Sequence, residues 1–342
     1  MSRKQIFPVF IPHLGCPFHC SFCRQDVTSG TAVPPTPQDV SSLLNCLLPE
    51  QGEGEVAFYG GSFTFLDEDL RESYLAVAAD FVFAGRVAGI RFSTRPDGLD
   101  SGIIQRLERW PITTVEIGCQ SFSPLVLELS GRGHSPEPIA PAVQRLRQMK
   151  VQVGLQLMPG LPGSDRKEAI DSLRQALHLK PDFLRIYPTV VIKGSRLERD
   201  YHNGLFRPLD LESAVDLCAD MLIQCYAADI PVIRLGLQTD DITSAEAIVA
   251  GPYHPAFGQL VRSRLWLRLM LDVLPIHPAN VIMVHPADYS DVVGQSRVNV
   301  ARLNRRFPEL VVRGVDGVPR GSLLINETIF HLYEMLQRIT PA

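Results

Sequence analysis

Short apolar runs rich in β-branched and aromatic residues alternate along this chain with longer stretches whose apolar positions recur every three or four residues. The short runs IFPVFIP (6–12), EVAFYG (55–60), GIRFST (89–94), TTVEIGCQ (113–120), VQVGLQLM (151–158), FLRIYPT (183–189) and PVIRLGL (231–237) predict strands. Residues 39–48, 68–83, 101–108, 138–149, 166–178 and 209–228 predict helices between them. This beat is that of an α/β chain built from βα units around a parallel sheet. Six such units and a seventh strand suit a partial or complete β/α barrel, which carries its chemistry at the C-terminal ends of its strands. The segments directly after the strands are therefore where unusual residues count.

Composition narrows the setting. The chain has 342 residues, is 45% hydrophobic and carries a net charge of −4, so it can bury a sizeable core and has no general affinity for polyanions. Its start, MSRKQIF, lacks the apolar run of an export signal, and the best apolar stretch (77–90) is interrupted by Asp80 and Arg86. No membrane association and a cytoplasmic location are expected. Seven cysteines, an odd number, then point to thiols that serve metals or cores rather than disulfides.

Three of those thiols fall within eight residues. Cys16, Cys20 and Cys23 lie in GCPFHCSFCRQ, directly after the first predicted strand. A structural zinc site needs a fourth ligand, usually from a second Cys or His pair, and no such pair follows. Cys46, Cys119, Cys218 and Cys225 are expected as core thiols, and His19 as a solvated loop histidine. Three thiolates in one tight loop suit a 4Fe–4S cluster with one iron lacking a protein ligand.

Later loops are also polar or glycine-rich. They are YGGSFT (59–64), STRPD (93–97), EIGCQS (116–121) followed by GRGH (131–134), QLMPGLPG (156–163) and RIYPTVVIKGS (185–195). Taken alone, the Gly60–Gly61 pair suits a tight β-to-α turn. Arg132 offers a guanidinium whose fork matches a carboxylate.

Cx3Cx2C after strand one, with Phe22 before the last cysteine, resembles the cluster loop of the radical S-adenosylmethionine (SAM) enzymes. The resemblance implies a partial (β/α)6-type radical SAM barrel, a 4Fe–4S cluster on Cys16, Cys20 and Cys23, and SAM bound to the open iron. Cleavage of SAM to a 5′-deoxyadenosyl radical, which takes hydrogen from a substrate, is the implied chemistry. The implied SAM contacts are Gly60, Gly61, Ser62, Gln120, Ser121, Arg132 and Gln156. Tyr187 and Lys193, at the end of strand six, are candidates to face the substrate, although a lysine at a barrel mouth equally suits a solvated structural residue. STRPD, RGH, MPGLPG and IYPTVVIKG, in this order, look most like the radical SAM module of the Elongator catalytic subunit, over residues 6–325. That resemblance implies a tRNA base as substrate and a flavodoxin- or ferredoxin-type electron donor. More distantly the chain is similar to oxygen-independent coproporphyrinogen III oxidase, which would imply a small-molecule substrate. A non-catalytic iron–sulfur or RNA-binding adaptor is the reading outside enzymes.

Beyond about residue 240 the alternation breaks up. The expected organisation is a barrel over 1–240 and a small α+β domain over 241–342. Residues 251–320 hold nine arginines and five acids, and Arg297, Arg302, Arg305 and Arg306 are candidates for a phosphate-contacting face. Tyr253 and His254 sit in a Gly/Pro-framed loop that suits a substrate contact or a structural turn. The chain ends at Ala342 without the acetyltransferase domain of the Elongator subunit, so a separate acyl-donor protein is the expected partner if the chemistry is the same.

Overall fold

In the computed structural model, residues 5–24, 33–237 and 247–339 are described, the last three as backbone alone. The first six strands are β1 (Ile6–Phe10), β2 (Glu55–Tyr59), β3 (Gly89–Thr94), β4 (Ile112–Gln120), β5 (Gln152–Leu157) and β6 (Phe183–Ile186). Each pairs in parallel with the next, in chain order. With β7 (Val191–Ile192) set apart, the order of this sheet ends on a seventh strand, β8 (Val232–Leu235). Val56, Phe58, Ile90, Phe92, Val115 and Ile117 are fully buried, as befits a parallel sheet covered on its outer face by helices.

Those helices are α1 (Pro37–Leu47), α2 (Glu68–Phe83), α3 (Ser101–Leu107), α4 (Pro124–Leu129), α5 (Ile139–Gln148), α6 (Arg166–His178) and α7 (Arg196–His202). Most begin on a side chain that satisfies an otherwise unpaired backbone N–H. Thr36 forms a reciprocal capping box with Asp39, and Asp67, Asp100, Asp165 and Ser195 each accept from the first turn. Strand β7 pairs antiparallel with β9 (Ile248–Ala250), a short ladder that the alternation did not predict.

The other face of the sheet is polar. Arg91 reaches Glu55 and Glu116 at 2.7 and 2.8 Å, and Arg185 reaches Glu116 at 2.7 Å. Thr113 and Thr114 donate to Glu55, and Tyr59 donates to Glu116 at 2.7 Å. Two acids offset two guanidiniums, so the network buries no net charge. Removing one partner of such a set costs about 3–5 kcal/mol, because the other is left uncompensated.

The chain divides into two compact units, residues 1–208 with 239–251 and residues 209–238 with 252–342. The boundary expected near residue 240 lies outside the described residues. The second unit holds α8 (Leu211–Ala227), α9 (Phe257–Val273), α10 (Tyr289–Val293), α11 (Val298–Asn304) and α12 (Leu332–Ile339). Helix α8 groups here rather than with the barrel because Asp216 and Asp220 pair with Arg264 and Arg268 of α9. Strand β10 (Val281–Val284) lies between parallel β11 (Val311–Gly314) and antiparallel β12 (Ser322–Ile325), and β13 (Thr328–His331) completes this mixed sheet. The unit is α+β, as its pattern predicted. Among the described residues no helix is long and apolar enough to cross a membrane.

Candidate active site

The cysteine loop leaves β1 and is tied at once to the loop after β2. Ile11 donates to the Tyr59 carbonyl, His13 to Gly60 and Ser62 to Leu14, at 2.7, 2.9 and 3.0 Å. Both glycines of YGGSFT have a local cause. Gly60 has φ +91°, and a Cβ on Gly61 would lie 2.3 Å from the Leu14 carbonyl oxygen. Further on, Ser21 donates to the Ser130 carbonyl and accepts from Leu197, both at 2.8 Å through the backbone. Cys20 and Phe22 are buried with Val126, Leu161, Val191 and Leu197, and Cys23 packs against the same cluster.

Arg132 brings a positive charge to this sulfur group. Its Nη1 donates to Cys20 Sγ at 3.5 Å, its Nη2 to the Gly118 carbonyl at 2.7 Å and its Nε to His134 Nε2 at 3.0 Å. His134 shares a 2.9 Å hydrogen bond with the Ser135 carbonyl through Nδ1. Burial and the adjacent Arg132 charge push His134 down to about 4, so the ring is neutral near pH 7 and accepts from the guanidinium. Arg95, of STRPD, is buried and donates to the Arg132 carbonyl at 2.5 Å. It also lies 5.0 Å from the Phe18 ring, whose face covers Gly133. Strand three thus holds the cysteine loop to the Arg132 segment.

At the end of β4 the register with β5 shifts between Gly118 and Gln120, and Gln120 takes φ +67°. This bulge turns the Gln120 amide toward Gln156, which donates to it at 3.1 Å. A Cβ on Gly118 would lie 2.8 Å from both Arg132 Nη2 and Gln120 Nε2. Gly118, Gln120, Arg132 and Gln156 are therefore one group. Ser121 is not part of it. Its hydroxyl donates to Glu168 of α6 at 2.6 Å and accepts from the Ser123 N–H, which ties strand to helix. Ser62 is buried, with Oγ 3.6 Å from Cys16 Sγ.

Tyr187 accepts from Arg185 Nη1 at 3.2 Å, while Nη2 reaches Tyr59 at 2.9 Å, so two phenols share one guanidinium. Burial and the Glu116 charge raise the Tyr59 hydroxyl above its ordinary value. Lys193 is exposed, and its backbone N–H bonds to the Ala247 carbonyl. His19 is exposed as expected. Cys119, Cys218 and Cys225 are buried, but Cys46 is exposed on α1, where the apolar stripe passes through Val40 and Leu44 instead. The roles of Arg95, Arg185 and Glu116 were missed in the sequence. Their one signal was charge at positions of otherwise apolar strands or turns.

The loop suits an inorganic cluster. It has three thiols, a buried apolar side, a nearby cation, and one more donor: the Ser21 hydroxyl, fully buried without a hydrogen-bond partner. Among the described residues no three His, Cys, Asp or Glu side chains converge as a single metal ion would require. Three thiols on one short loop, with the Ser21 hydroxyl and Arg132 as nearby donors, are the donor set such a cluster needs.

Comparison with known families agrees. The profile of the Radical SAM superfamily matches residues 10–176, and that of the Radical_SAM C-terminal domain matches residues 181–266. The chain belongs to the radical SAM superfamily. It is an enzyme, and its cofactors are a 4Fe–4S cluster and SAM. It is 33% identical over 135 residues to the tRNA uridine(34) acetyltransferase of Methanocaldococcus jannaschii, covering 39% of this chain and 25% of that one. It is 27% identical over 262 residues to the enzyme of that name from Dehalococcoides mccartyi, covering 65% and 57%. A solved structure of archaeal Methanocaldococcus infernus Elp3, lacking residues 1–46, superposes with a TM-score of 0.58 at 21% identity. That match covers 84% of this radical SAM chain and 68% of Elp3. The chain spans between 25% and 65% of the length of the first curated relatives it matches.

Proposed function

We propose that this radical SAM enzyme holds its cluster on Cys16, Cys20 and Cys23 and acts on a base of tRNA. The observation that carries the first part is the Cys20 sulfur, buried in the loop after β1 and hydrogen-bonded by Arg132. When bound, the reduced cluster would supply the one electron that splits SAM into methionine and a 5′-deoxyadenosyl radical, which becomes 5′-deoxyadenosine on taking a hydrogen atom from the substrate.

The residues of the chain do the rest. Gly60, Gly61 and Ser62 form the wall beside Cys16, and Gly118, Gln120, Arg132 and Gln156 form a polar group beside Cys20. In this reading Arg132 keeps N–H groups to spare for the SAM carboxylate, since three of its five are used by protein. Gln120 and Gln156 offer amides for the polar nucleoside part. Tyr187, fixed by Arg185, faces the reacting substrate as a hydroxyl donor, whereas the Tyr59 proton is already given to Glu116. Lys193, exposed, is suited to a phosphate of an RNA substrate. An electron donor of flavodoxin or ferredoxin type completes the reading.

The tRNA part is supported by two tRNA uridine(34) acetyltransferases among the relatives and by four exposed arginines of the second unit: Arg297, Arg302, Arg305 and Arg306. The test is 5′-deoxyadenosine release by anaerobically reconstituted protein with dithionite and SAM, with and without bulk tRNA. Stimulation by tRNA is expected. Stimulation by a porphyrinogen and not by tRNA would overturn the substrate assignment, and no cleavage under any condition would overturn the chemistry.

A further inference from the structure

We infer that Arg132 sets the reduction potential of the cluster by donating to the Cys20 sulfur, and that Gly118 and His134 exist to aim it there. This rests on the assignment of the cluster to the three cysteines and goes beyond it, because a SAM contact alone would not need this geometry.

Three observations converge. Arg132 is 8% exposed, so its charge is poorly screened, and Nη1 lies 3.5 Å from Cys20 Sγ. Its other two nitrogens are spoken for by groups that leave it no freedom to swing. Nη2 donates to the Gly118 carbonyl and Nε to the neutral His134 ring. Finally, residue 118 has no side chain where one would collide with the guanidinium: a Cβ would stand 2.8 Å from Nη2. Gly118 has no left-handed backbone angle that would call for glycine, so the close approach of Arg132 and Gln120 is the local reason for it.

One electron from the reductant makes the cluster and its thiolates one unit more negative. A fixed cation and an N–H donor at one of those sulfurs favour the reduced state. Arg132 is thus a positioning residue toward the cluster, and its loss makes reduction harder.

The experiment is a redox titration of the SAM-free, cluster-loaded protein with dithionite, followed by electron paramagnetic resonance. Wild type is compared with Arg132→Gln, Arg132→Lys and Gly118→Ala. Arg132→Gln is expected to lower the reduction equilibrium constant about tenfold, which for one electron is about 59 mV more negative. Gly118→Ala, which keeps the charge but pushes the guanidinium aside, should shift the potential in the same direction by less. Arg132→Lys should recover part of the loss. An unchanged potential in both Arg132→Gln and Gly118→Ala, at full iron content, overturns the inference. Should Arg132→Gln fail to load iron, Gly118→Ala decides alone, because its new Cβ approaches only side-chain ends within 3 Å. A wild-type chain that does not load about four irons would instead refute the cluster assignment.

Discussion

Gly61 lies so close to Leu14 that a Cβ on it would stand 2.3 Å from the Leu14 carbonyl oxygen. The loop after strand two is thus a seat for the cysteine loop, and its second glycine is required by backbone contact. Gly61→Ala should force the two loops apart, at a cost of roughly 1–3 kcal/mol. Iron content after anaerobic reconstitution should fall well below that of wild type. A variant that loads iron normally would show that the seat is not needed.

The cysteines should separate into two classes. Cys20→Ala should abolish cluster assembly, and Cys16→Ala and Cys23→Ala should do so or leave a labile remnant. Cys119→Ala should retain it, because burial pushes the Cys119 thiol up to about 12 and keeps it protonated, unfit to bind iron. Cys46→Ala should be silent, since that thiol is exposed on α1 away from any partner set. Iron and sulfide analysis of each purified variant is the measurement. Loss of iron in Cys119→Ala with the fold intact would reassign the ligands.

Glu55 gives a pH dependence with a definite sign. Burial alone would raise its carboxyl, but hydrogen bonds from Thr113 and Thr114 and the Arg91 charge outweigh it and hold the group below 4.5. A depressed carboxylate contributes stability that is complete above its unfolded value and fades as pH falls through its folded one. Glu55→Gln should therefore destabilise the cluster-free protein by roughly 3–5 kcal/mol at pH 7, because the Arg91 charge is left uncompensated. The gap to wild type should narrow below pH 4.5. Urea unfolding across that range measures it, and a gap that stays constant would contradict the assigned charge state.

Periodicity located the strands to within three residues because each is a buried run bounded by polar segments. Strand β4, expected over 113–120, is Ile112–Gln120, and β6, expected over 183–189, stops at Ile186. Helix α4 has six residues and β7 two, too short for any period to show. Loop chemistry was legible where it was concentrated, as in the cysteine loop, and illegible where distant partners decide it. Ser121 bonds to Glu168, 47 positions away, and nothing in EIGCQS announces that. The Gln120 bulge likewise depends on the β5 register. Likewise His254, in a loop left between two roles, accepts from the Ala256 N–H through Nδ1, which marks a structural turn.

The second unit carries the test of substrate class. Arg302, Arg305 and Arg306 are exposed along and just past α11, with Arg297 at its start. Exposed arginines on one short helix are often merely solvated, so proximity alone does not make a nucleic-acid face. Salt dependence separates the two cases, because each phosphate neutralised releases condensed counterions and steepens the fall of affinity with salt. If tRNA lies on this helix, the combined Arg302→Ala, Arg305→Ala, Arg306→Ala variant should bind more weakly. Its logarithmic salt slope should be shallower by roughly two to three units, at about 0.7–0.9 per contact. Cluster content should be unchanged, and so should SAM cleavage without tRNA, since the candidate SAM contacts all belong to the first unit. A slope identical to wild type would place any RNA contact elsewhere. Undetectable binding of tRNA by the wild type at low ionic strength would remove tRNA as the substrate.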